Sequence, residues 1–123
     1  MVDHTKVDDF LYNDFPDWLS PISEDYLLLL DQKIVRFRPW YLLNADLIVK
    51  RNDGLKLRYP DRMLFAFAAR MDCDDIACWE RGRTGKVSVV HDFASPGFEA
   101  KENFDSFWDW FRTAVDQMIT FEN

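Results

Sequence analysis

The residues best suited to chemistry stand at Asp72-Cys73-Asp74-Asp75 and, further along, at His91-Asp92. Carboxylates gathered around an imidazole could hold a divalent metal. A calcium loop fails on spacing, because Ala77 stands where the turn glycine belongs and Arg83 where the closing glutamate belongs. A histidine–aspartate phosphohydrolase would need further histidines, and His4 is the only other one. Ser88, Ser95, His91 and Asp92 supply the residue types of a hydrolytic triad. Ser88 and His91, however, lie three apart on an expected strand and so face opposite ways. No Gly-x-Ser-x-Gly elbow occurs, and Gly82 and Gly85 fit neither the dinucleotide nor the phosphate-loop spacing. Cys78 sits among apolar residues and reads as a small buried hydrophobe. The expectation is a non-catalytic protein with no metal and no cofactor, with a metal-dependent hydrolase at the acidic cluster and His91 as the lesser alternative.

Recognition chemistry is better represented. Asp72, Asp74 and Asp75 fall on an expected exposed turn, and Asp105 and Asp109 on the polar side of an expected helix. Trp110 projects to the border between that helix's apolar and acidic faces, where an aromatic beside a carboxylate can anchor an interface. These six residues are the partner-binding candidates. The other tryptophans weighed, Trp40, Trp79 and Trp108, are expected in the core.

The elements that must position them begin with three short strands. Leu64–Ala68 is an apolar run too short for a typical helix, Asp75–Trp79 follows within a few residues, and Lys86–Asp92 is rich in β-branched side chains. The Arg81-Gly82-Arg83-Thr84-Gly85 connection supplies hairpin freedom, so these strands should be antiparallel neighbours. Upstream, Ser23 is the expected cap of a first helix over residues 23–33, Ile34–Arg38 an edge strand and Trp40–Leu43 either a second strand or its continuation. Asn52-Asp53-Gly54 reads as a turn leading into a strand over Leu55–Tyr59. Phe93–Phe98 is a loop around Pro96-Gly97. Downstream, Asn103 is the expected cap of a helix with Phe104, Phe107, Trp108, Phe111, Val115, Met118 and Ile119 on its apolar face. Strands flanked by helices, without β-α-β alternation, predict an α+β domain: an antiparallel sheet covered on one face by helices.

At 123 residues the chain fits one domain, with residues 1–20 as a loosely packed arm. Met1–Phe10 lacks the basic and apolar blocks of a secretory signal, and no apolar run approaches the roughly 20 residues a membrane helix needs. A cytoplasmic protein with reduced thiols is expected. Net charge is −7, with residues 32–71 basic and both flanks acidic. Excess negative charge argues against direct nucleic-acid binding and favours a basic partner.

Three stretches, FAFAARMDCDDIACWE, KVSVVHDFASPGF and FDSFWDWF, in this order resemble bacterial members of the SUKH superfamily, which includes the fungal Smi/Knr-type regulators and many bacterial immunity proteins. The resemblance spans about Arg38 to Phe121. It departs from the superfamily after the first helix, where an Asn-Gly type turn is replaced by Leu30-Asp31-Gln32-Lys33. It implies the same α+β fold and a protein that neutralises a basic toxin domain, such as a nuclease, by stoichiometric binding. The fungal relatives imply the alternative of a regulatory or scaffolding module.

Overall fold

The computed structural model describes residues 16–20 and 22–121. The arm expected over residues 1–20 therefore lies mostly outside the described residues; its described part includes a 3-10 turn at Asp17–Leu19, with Leu19 buried. Six strands follow one another as an antiparallel meander: β1 (Arg36–Phe37), β2 (Trp40–Leu42), β3 (Leu64–Arg70), β4 (Asp75–Glu80), β5 (Val87–His91) and β6 (Ala100–Phe104). With helices α1 (Glu24–Asp31), α2 (Ala45–Arg58) and α3 (Phe107–Thr120), this is the expected α+β class. No helix among the described residues is long and apolar enough to cross a membrane.

Helices α1 and α3 meet the sheet through an aromatic cluster. Phe67 lies with its ring centroid 4.4 Å from that of Trp79, 5.3 Å from that of Phe107 and 5.0 Å from that of Trp110, and Tyr26 of α1 meets Phe67 and Trp79 edge-on. A bulge between Ala66 and Ala68 on β3 accompanies the turn of Phe67 into this cluster. Helix α1 ends in a Schellman arrangement, Ile34 N–H to Leu29 O and Lys33 N–H to Leu30 O, with Lys33 at φ 61° in the position glycine usually takes. The Leu30-Asp31-Gln32-Lys33 segment thus stops the helix without a glycine.

Two sequence expectations are corrected. Asn52-Asp53-Gly54 is not a turn and Leu55–Tyr59 is not a strand: α2 runs through both. Its buried positions, Ile48, Asn52, Leu55 and, just past its end, Tyr59, recur at helical spacing, but the polar Asn52 interrupts the apolar stripe. Asn52 lies against the part of β3 that β2 does not cover. There its side chain accepts from Ala66 N (2.7 Å) and donates to Ala66 O (3.1 Å), pairing a strand edge as a neighbouring strand would. Asn52→Ala strands both groups in the interior and should lower the unfolding free energy by about 2 kcal/mol. A urea titration showing a loss below about 0.5 kcal/mol would mean the edge is hydrated instead.

The last helix is also displaced. Asn103 and Phe104 belong to β6, and Ser106 is the N-cap, its Oγ accepting from Asp109 N at 3.1 Å. The buried face is then Phe107, Trp110 and Ala114, continued by Gln117, which accepts from Trp40 Nε1 at 2.6 Å. Trp110 is the centre of that face at 1% exposure, while Met118 and Ile119 are exposed.

Candidate interaction surface at one end of the sheet

An antiparallel meander sends alternate connections to the same end. The β1–β2 and β3–β4 turns meet where Met71 N–H donates to Pro39 O (2.8 Å), and the β3–β4 turn meets the β5–β6 loop where Asp92 N–H donates to Asp74 O (3.0 Å). This end carries the exposed side chains of Asp72, Cys73, Asp74, Phe93 and Phe98.

The β5–β6 loop, residues 92–99, is anchored at both ends by carboxylates turned inward. Asp92, with no exposed surface, accepts from Arg58 Nε (2.7 Å) and Nη2 (2.8 Å), from Arg51 Nη1 (3.0 Å) and from its neighbour's amide, Phe93 N (2.9 Å). Both arginines come from α2. Gly54 makes room for this, since a Cβ there would stand 2.8 Å from the Arg58 guanidinium. At the other end Glu99 accepts from Arg62 Nη1 (2.8 Å) and Gly97 N (2.7 Å), and Arg62 also grips Glu80 through two bonds of 2.8 and 2.9 Å. Between them Tyr59 OH donates to Ala94 O (2.7 Å).

What this scaffold presents is aromatic. Phe93 is 59% exposed and Phe98 81% exposed. Phe93 holds φ at 70°, a left-handed conformation that costs a β-carbon residue about 1 kcal/mol or more. Its ring lies 4.1 Å from the Arg58 guanidinium, so the arginine that clamps Asp92 also sets the ring. A large apolar side chain held outward on a fixed, strained loop is pre-organised for contact rather than for burial.

Glu80 and Glu99 both titrate low. Burial pushes Glu99 up, but the Arg62 guanidinium and the Gly97 amide more than offset it; Arg62 directly holds Glu80 below the ordinary range. Carboxyls depressed on folding bind fewer protons than in the unfolded chain, so their stabilisation is present at neutral pH and lost as pH falls below about 4. Arg62→Gln should therefore destabilise strongly at pH 7 and much less at pH 3, measured by urea unfolding at each pH. An equal difference at both would place the contribution of Arg62 in packing alone.

No family model, curated protein or solved structure matches the chain.

The six sequence candidates do not form one surface. Asp72 and Asp74 are exposed at this end, Asp72 bonded to Arg70 (2.8 Å) and Asp74 without an ion-pair partner among the described residues. Asp75 is buried beside them, its carboxylate accepting from Lys101 Nζ and paired with His91 Nδ1 (2.9 Å). Burial raises the pKa of Asp75, yet Lys101 and His91 bring it below the usual range. Asp75 and His91, from the acidic turn and the next strand, thus pair directly, with the Lys101 ammonium on the other carboxylate oxygen. Ser88 faces away from His91 and bonds Asn103 (3.0 Å), as the strand spacing predicts. Asp105 and Asp109 lie at the opposite end, separated by the length of β6, on the order of 15 Å. Trp110 is in the core and presents no anchor, contrary to its expected border position. Phe93 and Phe98 were missed as candidates, although two aromatics bracketing Ala-Ser-Pro-Gly were visible; composition gives no sign that they point outward.

The basic middle third does not form one patch. Arg51, Arg58, Arg62 and Arg70 are committed to carboxylates, which leaves Lys33, Arg36 and Arg38 exposed around β1 and Lys50 and Lys56 exposed on α2.

Proposed function

We propose that the chain is a non-catalytic binding protein that neutralises a basic protein domain, of the toxin type, in the cytoplasm by stoichiometric contact through this end of the sheet. The observation that carries the reading is the clamped loop with Phe93 and Phe98 exposed beside Asp72 and Asp74. Aromatic anchors on a rigid support supply affinity, and acidic neighbours supply steering and selection against acidic competitors. The net charge of −7 favours the same partner, although Asp3, Asp8, Asp9, Asp14 and Glu122 lie outside the described residues. The SUKH-like order of FA, DD-I-AC, VVHDFASPG and FWDWF stretches supports immunity over other binding roles, and the loop itself belongs to that pattern.

The test is recovery of the tagged protein from its native cell at low salt, with mass spectrometry of what accompanies it. A stoichiometric basic domain whose toxicity the protein abolishes supports the reading; recovery only of abundant cellular proteins overturns it. With the partner in hand, Asp72→Lys combined with Asp74→Lys should slow association about ten-fold at low salt and flatten its salt dependence. Unchanged association kinetics would remove the β3–β4 turn from the interface.

A further inference from the structure

The β1–β2 hairpin carries a second surface, of opposite charge to the one above. In antiparallel register Phe37 faces the same side as Trp40, toward α3, and Arg36 the same side as Tyr41, away from it. On that outer side Arg36, Arg38, Tyr41 and Met71 line a groove of about 140 Å³, which buried Trp40 only borders from the strand beneath. Arg38 is drawn over it by its Nε–Met71 Sδ contact at 3.1 Å, and Met71 is half exposed. Neither Arg36 nor Arg38 has an ion-pair partner among the described residues, whereas the four other arginines of the basic stretch do.

Charged residues on an edge strand commonly guard it against strand addition, and β1 has only two residues. That role needs charge alone. It does not need an apolar floor beneath two unpaired guanidinium groups, which is the arrangement that takes a carboxylate and its apolar neighbour together. The volume falls below the roughly 300 Å³ at which small-molecule sites begin and suits a single side chain.

We propose that this groove receives an apolar side chain from an acidic segment of a partner protein, the flanking carboxylates of that segment engaging Arg36 and Arg38. The inference is separate from the toxin reading, since it concerns the opposite charge and the outer face of the β1–β2 hairpin; Met71, at the start of the β3–β4 turn, borders both surfaces.

Isotope-labelled full-length protein is titrated with a capped peptide containing phenylalanine between aspartate and glutamate pairs, followed by amide resonances. Shifts should centre on residues 36–41 and on Met71, and Arg36→Gln with Arg38→Gln should weaken binding by about five-fold or more without altering the fold. Replacing the peptide's phenylalanine with alanine should weaken it comparably. The proposal is overturned if the shifts centre elsewhere, if the double variant binds equally, or if a peptide with lysines in place of its acids binds as well. It is also overturned if dilution of the protein alone moves the same resonances, which would make a second copy the occupant.

Discussion

Asp92→Asn should lower the unfolding free energy by about 3 kcal/mol, among the largest effects of any single polar change in the described residues. Asp92 is fully buried and receives three hydrogen bonds from two arginines and one from the Phe93 amide. Asparagine keeps the shape but loses the charge, and its amide nitrogen must face a guanidinium. Two partly buried cations are then left without a counterion, and removing one member of such a set costs far more than the intact set contributes. The arginines retain 22% and 27% side-chain exposure, so water recovers part of the loss and the estimate sits at the low end of the range for buried pairs. Denaturant unfolding measures it directly, with Asp72→Asn as the comparison. Asp72 is also paired with an arginine but is exposed, and its loss should stay within about 0.5 kcal/mol. Equal effects at the two positions would show that the Asp92 cluster is solvated and does not hold the loop.

Phe93→Ala with Phe98→Ala should do the reverse, leaving the fold intact and removing binding. Both rings are mostly in water, so truncation forfeits little burial; Phe93 alone gives up a cation–π contact worth about 1 kcal/mol or less. In the proposed complex the same rings are the apolar anchors, each worth about 2 kcal/mol, which together is on the order of 1,000-fold in affinity. The two readouts separate anchor from scaffold. Asp92→Asn should damage folding and binding together, whereas the phenylalanine pair should damage binding at nearly constant stability. A double variant that binds the captured partner like wild type excludes the loop from the interface, whatever its folding behaviour.

The sequence was most legible where one physical signal acted alone. The β3, β4 and β5 strands are short apolar or β-branched runs bounded by charged turns, and nothing competes with that pattern. Helix α2 was lost because two signals conflicted. Asn52 and Gly54 form a strong local turn motif, but Asn52 is there to complete an open strand edge and Gly54 to admit the Arg58 guanidinium, and both purposes are tertiary. The start of α3 slipped because Asn103 and Ser106 are both able caps and β6, mostly exposed, has no apolar pattern to claim Asn103. Trp110 was misplaced because Phe104, a strand residue, and Ile119, exposed on the helix, were counted in the apolar face, which rotated its expected centre away from the true one through Phe107, Trp110 and Ala114. Site residues were harder still. Acidic residues could be found in the sequence but not sorted into Asp74, free on the surface, and Asp75, buried under Lys101 and His91. Nor does an aromatic residue reveal outward orientation until the clamps on Asp92 and Glu99 are seen.

Amide hydrogen exchange of the protein with and without its captured partner reads out which part of the chain the partner covers. Protection should appear in the segments covering residues 71–74 and 92–98, with the Arg81–Lys86 hairpin and the Asp105–Asp109 end unchanged. Protection confined to that opposite end, with residues 92–98 exchanging as in the free protein, would contradict the proposed interface.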